Sequence, residues 1–439
     1  MVYSPLKVKH YLIESLGCAK NLVDSEVFAY ILESAGYSPA PIPEEADLIL
    51  INSCAFLQSA LAEFDEILSG YADRKNQGEF ETLIVTGCVM NRALDDFTGL
   101  FPEVDAWIGL KDFDALKSFL GAKNSPVISR SPIEEGHYAY LRISDGCRNY
   151  CSYCTIPSIR GVLKSVPIPQ LVIEAESLAA RGAKELILIA QDTCLYGTDL
   201  YGHQALPELI EAVHAIKGFR WIRLLYLHPD HFKTEWLELF KRLPKLLPYF
   251  EIPIQHSEDR ILKAMNRKLG RAPLLELFKL IQSELPTAVL RTTLITGFPG
   301  ESPQDHKKLL DFIEQVPFLH LGVFCYSQEP GTPAYDMPRQ VGEKTALKRQ
   351  DELLSAHRAQ LEERLGAWVG KDIEVLVEAE LEPDEELPKG NHRYLCRAWF
   401  NAPDIDGLVF AEGKKVKPGT FVKVNIEDVI DVDLFARII

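Results

Sequence analysis

The alternation of apolar and polar positions divides the chain into three stretches of different rhythm. In the first, short apolar runs alternate with helical spacing. YLIESLG (11–17), ADLILINS (46–53) and ETLIVTG (81–87) read as buried strands. DSEVFAYILESAG (24–36) and FLQSALAEFDEILSGYADR (56–74) read as the helices between them, the former with an Asp–Ser start and a glycine stop. This strand–helix order predicts a parallel sheet with helices on its faces, a domain placed at 1–125. A linker bearing proline and serine, KNSPVISRSPIEEGH (123–137), follows.

The second stretch holds six strand candidates separated by helical patterns. They are YAYLRIS (138–144), ELILIAQD (185–192), WIRLLYL (221–227), YFEIPIQ (249–255), AVLRTTLIT (288–296) and HLGVFCYS (320–327). Six βα units predict a partial (β/α)6 barrel, open on one side, over 133–365, closed by a charged helix at 343–365. From 366 to 439 the rhythm changes to five short strands, DIEVLVEAE, RYLCRAWF, GLVFAEG, TFVKVNIEDVI and DLFARII. That is a small β-barrel of the oligonucleotide-binding (OB-like) size class. The fold class is α/β, with this all-β barrel appended.

Composition narrows the function classes. The 439 residues carry a net charge of −16, which argues against a surface that tracks nucleic acid throughout. Nucleic acid is expected as a partner at most indirectly. The start, MVYSPLKVKHYLIES, has no signal-peptide core and no run reaches membrane-spanning length, so a cytoplasmic protein without a membrane partner is expected. The nine cysteines then read as thiols or metal ligands rather than disulfides.

Six cysteines form two sets. Cys18, Cys54 and Cys88 each follow an apolar strand, in IESLGC, LILINSC and LIVTGC. In a parallel sheet those strand ends share one edge, where such folds bind ligands, so the three can converge. The plainer reading is three separate buried thiols. Cys147, Cys151 and Cys154 lie in DGCRNYCSYCTIP, on the loop after the first barrel strand, at the mouth where barrel chemistry sits. Three close thiolates with no fourth Cys or His at finger spacing suit a [4Fe–4S] cluster with one open iron better than zinc.

The C-x3-C-x2-C spacing, with Tyr153 before the last cysteine, resembles the signature of the radical S-adenosylmethionine (AdoMet) superfamily. With a three-cysteine domain before it and a small barrel after it, nearly the whole chain resembles the radical-AdoMet methylthiotransferases, whose last barrel is a TRAM domain. SLGCAKNLVDSE, AQDTCLYG, IPIQHSEDRILKAMNRK, TGFPGES and RAWFNAPDIDG resemble the branch that methylthiolates an aspartate of the small-subunit ribosomal protein S-twelve. The tRNA-modifying branch of the family usually has Gln-Met in place of Ala19-Lys20, and lacks the Gln-Asp-Thr of 191–193.

The resemblance implies two [4Fe–4S] clusters and AdoMet as cofactors. Cys147, Cys151 and Cys154 would hold the cluster that binds AdoMet, with Tyr153 beside the adenine. Cys18, Cys54 and Cys88 would hold the second. Such an apparatus answers a chemical difficulty: the hydrogen on an aspartyl β-carbon is not acidic enough for a side-chain base. Homolysis is the way in, and the cofactor carries it. A 5′-deoxyadenosyl radical would take the hydrogen, and the carbon radical would meet a sulfur that a second AdoMet has methylated. An electron donor and a sulfur donor are therefore further expected partners. A tRNA methylthiotransferase is the nearest rival reading, and a non-catalytic metal-binding ribosome adaptor the rival of another class.

Other residues carry double readings. Gly297 and Gly300 in TGFPGES would let backbone approach a ligand, or simply turn the chain. Gln191 and Asp192 end a strand at the mouth, to orient AdoMet or substrate or to cap the next helix. Arg223 and Arg291 could grip a carboxylate of AdoMet or substrate, or sit in internal ion pairs. His256 reads as a structural histidine, and Cys194, Cys325 and Cys396 as packing residues. From 366 to 439, nine basic residues face fifteen acidic ones, densest in EAELEPDEELP (378–388). Such a barrel would repel phosphate and attract a basic protein, as ribosomal proteins are.

Overall fold

A computed structural model describes residues 9–122, 129–133, 136–382 and 391–439. Much of the linker at 123–137 and most of the acidic run at 378–388 lie outside the described residues. Strands β1 (Lys9–Ser15), β2 (Tyr37–Pro39), β3 (Leu48–Ser53), β4 (Thr82–Gly87) and β5 (Ala106–Trp107) form a parallel sheet in the order β2-β1-β3-β4-β5. The period-2 alternation of its central strands feeds two helical layers. Leu48, Leu50 and Ile84 pack with Phe28, Ile31 and Leu32 of α1 (Ala19–Ser34). Ile49, Ile51, Leu83 and Val85 pack with Phe64 and Leu68 of α2 (Gln58–Asn76) on the other face. Each such side chain contributes roughly 1.5–3 kcal/mol of burial. Helix α1 begins earlier than the Asp24–Ser25 signal suggests, because those two residues are buried and engaged rather than capping.

The central segment opens with β6 (Tyr138–Arg142), a small antiparallel hairpin of β7 (Ser144–Asp145) and β8 (Lys164–Ser165), then β9 (Glu185–Ile189) and β10 (Trp221–Leu224). It continues with β11 (Tyr249–Glu251), β12 (Val289–Thr296) and β13 (His320–Cys325). The parallel sheets β6-β9-β10 and β11-β12-β13 abut. The Ile222 N–H donates to Lys245 O at 2.7 Å and the Leu227 N–H to Glu251 O at 3.0 Å. The outer strands β6 and β13 do not pair, so the six-stranded barrel stays open. Helix Glu343–Gly366 lies against β12 and β13.

Strands β14 (Asp372–Glu380), β15 (His392–Ala398), β16 (Val409–Gly413), β17 (Phe421–Ile430) and β18 (Asp433–Ile438) close the C-terminal barrel in the order β14-β15-β16-β18-β17. It plugs the barrel floor, at the strand N-terminal ends. Glu185 accepts from Arg223 Nε and from Arg397 Nη1, both at 2.6 Å. His320 Nε2 meets Phe400 O at 2.7 Å, and Asp406 accepts from Tyr249 Oη at 2.7 Å.

This floor corrects two expectations. Arg223 is fully buried, stacked 4.5 Å over the Tyr249 ring, with Nη2 donating to Asn401 O at 3.0 Å. Arg291 pairs with Asp406 at 2.5 Å. Both guanidinia are spent on joining the two barrels. The acidic excess of the C-terminal barrel is also partly neutralised. In the C-terminal barrel Glu374, Glu378, Glu412 and Glu427 are paired with Arg220, Arg397, Arg393 and Arg437, so the acidic excess is only partly free. No helix among the described residues is long and apolar enough to cross a membrane.

Candidate functional site

Both cysteine sets lie at strand C-terminal ends, and glycines in the left-handed region shape them. Gly17 (φ +89°), Gly87 (φ +98°) and Gly146 (φ +70°) directly precede Cys18, Cys88 and Cys147. A Cβ at 17 would lie 2.7 Å from Cys54 Sγ, one at 87 would lie 2.5 Å from the Ser53 backbone, and one at 146 would lie 2.1 Å from Val162 O. Each strand therefore turns into its cysteine with no side chain in the way.

The thiols within each set feel one another's charge. Burial pushes the Cys88 thiol up to about 12, with Arg160 opposing and Cys54 and Cys18 adding to the rise. Burial likewise takes Cys154 to about 12, against a backbone N–H at Ile156, with Cys151 and Cys147 adding to it. Cys18, Cys54 and Cys88 thus sit near enough to influence one another, and so do Cys147, Cys151 and Cys154. Neither trio has all three sulfurs within 4.8 Å of one another. One tetrahedral zinc, at about 2.3 Å per bond, needs sulfurs about 3.8 Å apart. The spread and the three-thiol donor set fit a four-iron cluster rather than a single zinc ion.

A polar network bolts one trio to the other. Asn21, in the first turn of α1, donates through Nδ2 to Leu16 O and Ser53 O, both at 2.8 Å, tying two cysteine loops together. Its Oδ1 lies 3.7 Å from Cys88 Sγ and accepts from Arg160 Nη2 at 2.5 Å. Arg160 ends the short helix Ile156–Arg160 that follows Cys154. It also pairs with Asp24 and Asp145, both at 3.3 Å. Asp24 holds Arg142 at 2.5 Å, and Asp145 holds Lys111. Burial works against the Asp145 carboxylate, but Arg160, Arg142 and Lys111 hold it well below the usual carboxylate range. Asn91 Nδ2 donates to Ile159 O at 2.7 Å, and Thr155 Oγ1 to Phe56 O at 3.0 Å, adding further seams.

The remaining candidates separate clearly. Gln191 donates to Asp145 Oδ1 at 3.2 Å, while its own Oε1 is buried without a partner, an acceptor left over at the mouth. Tyr153 packs edge-on to Phe298 with centroids 6.4 Å apart, and the Arg267 guanidinium lies near enough to act on its hydroxyl. Phe298 belongs to the TGFPGES loop, yet the loop's glycines answer to packing. A Cβ on Gly297 would lie 2.5 Å from Ala346 Cβ, and the Gly300 N–H donates to Arg339 O at 2.8 Å. Both glycines hold left-handed turn backbone, with φ of +74° and +81°.

Asp192 caps Thr193–Leu195, accepting from the Cys194 N–H at 3.0 Å, and also pairs with His231 at 2.7 Å. Asp192, His228 and His231 come within 4.8 Å, but Arg267 Nη1 sits 3.0 Å from His228 Nε2, which disfavours a cation there. His256 is fully buried and accepts from the Glu258 N–H at 3.0 Å. Cys194 and Cys396 are wholly buried in cores, and Cys325 lies against Thr296 and Gln350. Sequence reasoning missed Asn21, Arg160, Asp145 and Arg267, whose partners lie up to 139 residues away for Asn21 and Arg160, 46 for Asp145 and 39 for Arg267. It also missed Lys20, whose ammonium burial draws down to about 8, with Cys18 and Glu251 opposing the drop.

The family model "Uncharacterized protein family UPF0004" matches residues 10–109, "Radical SAM superfamily" matches 141–313, and "TRAM domain" matches 369–439. The ribosomal protein uS12 methylthiotransferase RimO of Clostridioides difficile is 38% identical, over 97% of this chain and 98% of its own. That of Aquifex aeolicus is 39% identical, over 97% and 96%. The chain belongs to the RimO family of radical-AdoMet methylthiotransferases. Of the readings left open by the sequence, these relatives favour the RimO branch over tRNA modification and an enzyme over an adaptor.

Solved structures agree on the fold. The radical S-adenosylmethionine methyltransferase TsrM of Kitasatospora setae, with cobalamin and a [4Fe–4S] cluster bound, superposes with a TM-score of 0.54 at 14% identity, over 75% of this chain and 77% of that one. The cobalamin-dependent enzyme OxsB, with AdoMet bound, gives 0.50 at 13% identity, over 81% and 56%. As a RimO-family chain with a radical-AdoMet barrel, this protein uses AdoMet and iron–sulfur chemistry.

Proposed function

We propose that this chain inserts a methylthio group at the β-carbon of one aspartate of ribosomal protein uS12, using two [4Fe–4S] clusters. Cys147, Cys151 and Cys154 hold the first. Cys18, Cys54 and Cys88 hold the second. The observation that supports the reading is the Asn21–Arg160–Asp145 network, which ties the loops of Cys18, Cys54 and Cys88 to the helix after Cys154 and the strand before Cys147. When bound, the first cluster supplies the electron for AdoMet cleavage and the second a place for the sulfur.

The chain's own residues bind and orient. Tyr153 lies against the adenine, backed by Arg267 and Phe298. Gln191 offers its unpaired Oε1 to the methionyl amino group of AdoMet or to the substrate backbone. The N-terminal domain docks on the barrel through Asp24 to Arg142, Phe56 to Thr155 and Asn91 to Ile159. An electron donor and a sulfur donor complete the partners.

The test is anaerobic turnover of purified uS12 with the iron-loaded chain, AdoMet, a reductant and sulfide, followed by peptide mass analysis. One methylthio group in place of one hydrogen, on one aspartate, is expected. Unmodified uS12 alongside methylthiolated tRNA would reverse the assignment of substrate.

A further inference from the structure

Lys20 is the second residue of α1, two positions after Cys18, and is 6% exposed. Its Nζ lies 3.3 Å from the centroid of the Tyr226 ring. Among the described residues no carboxylate approaches it within the 4.0 Å of an ion pair. Glu251 acts on it through space and turns Oε2 to the Tyr226 N–H at 2.5 Å instead. A buried ammonium with no counter-ion is costly, and it becomes favourable when an anion arrives.

Its surroundings are built rather than incidental. Tyr226 follows β10 with φ +61°, a conformation bulky side chains avoid and one that clusters at ligand sites. Glu251 and the Thr193 N–H, which donates to Tyr226 O at 3.1 Å, hold it there. Arg142, at the end of β6, donates to Lys20 O at 3.2 Å and fixes the lysine backbone over the same mouth. The ring takes one face of the ammonium and leaves N–H donors for a guest.

We propose that Lys20 is the receptor for the side-chain carboxylate of the substrate aspartate. This rests on the function proposed above and gives it a specificity-determining contact. The reacting β-carbon is bonded directly to the carboxyl carbon. Gripping that carboxylate two residues from Cys18 therefore brings the β-carbon beside the trio where sulfur is to be added. The methionyl carboxylate of AdoMet is the other source of the same chemistry, and the AdoMet affinity of a Lys20→Met chain separates the two. An asparagine in the substrate would leave the ammonium unpaired, which is how the site tells acid from amide.

The test measures binding of purified uS12, carrying Asp or Asn at the target position, to the anaerobic iron-loaded chain. The wild-type chain should bind the Asp form at least about 30-fold tighter than the Asn form. Lys20→Met, of similar length but uncharged, should bind both forms at the weaker level while its AdoMet affinity stays within about twofold. Equal binding of the two forms by the wild type overturns the proposal, as does a Lys20→Met chain that keeps the preference. Loss of AdoMet affinity in that variant assigns the ammonium to AdoMet and also overturns it. If Lys20→Met loses its iron, Lys20→Gln takes its place and the wild-type Asp/Asn ratio still decides. A wild-type chain that neither binds nor modifies uS12 fails at the underlying function instead.

Discussion

Gly146→Ala tests how the barrel trio is set. Gly146 has φ +70°, and a Cβ there would lie 2.1 Å from Val162 O. An alanine in left-handed backbone costs about 1–2 kcal/mol. Carbon and carbonyl oxygen settle at about 3.3 Å, so the loop must also move by about 1 Å. Metal ligands tolerate displacements of about 0.2 Å, so Cys147 leaves bonding range. The control is Gly182→Ala, where φ is +107° and the added Cβ meets nothing within 4 Å. On two clusters the wild type should carry about eight irons after anaerobic reconstitution. Gly146→Ala should fall to about four and yield no 5′-deoxyadenosine, while Gly182→Ala keeps both. A Gly146→Ala chain with full iron and normal AdoMet cleavage would refute the reasoning.

Three further outcomes follow from the same geometry. Cys151→Ala should halve the iron and abolish 5′-deoxyadenosine, whereas Cys54→Ala should halve the iron, keep AdoMet cleavage and release substrate without added sulfur; loss of cleavage in both would merge the two roles. Glu185→Ala strips two buried guanidinia of their shared partner, a loss of about 3 kcal/mol, at the low end because Arg397 keeps Glu378 and Arg223 keeps Asn401 O. Its thermal transition should drop by several degrees, and an unchanged transition contradicts the floor as described. Asp145 has a depressed carboxyl pKa, so its stabilisation is full above the ordinary carboxylate value near 4 and is lost as pH falls below it. Fluorescence-monitored acid unfolding should therefore be less steep in Asp145→Asn, and an identical acid limb would remove the network's electrostatic role.

What the sequence revealed was what repeats locally. Strands β3 and β4 are runs of apolar residues long enough to read directly, and a cysteine just past each strand end follows from parallel topology alone. The short edge strands β2 and β5 were not visible, because three and two residues, none of them fully buried, carry no period. Asp24 looked like a helix start and is instead an ion partner of Arg142 and Arg160, 118 and 136 residues onward. Position within a strand says which face a side chain takes, not what meets it there. That is why Arg223 and Arg291 were open to a ligand reading until the C-terminal barrel supplied Asn401 O and Asp406. Ala346 beside Gly297 was likewise invisible along the sequence. Lys20 carried no signal beyond its place after Cys18.

Two iron sites opening onto one space are what the proposed chemistry requires, and an anaerobic crystal of the iron-loaded chain, read by the anomalous scattering of iron, measures that directly. Two iron centres are predicted, one on Cys18, Cys54 and Cys88 and one on Cys147, Cys151 and Cys154, both facing the mouth between Lys20, Tyr226 and Gln191. A single iron centre, or two that open into separate cavities, would contradict it.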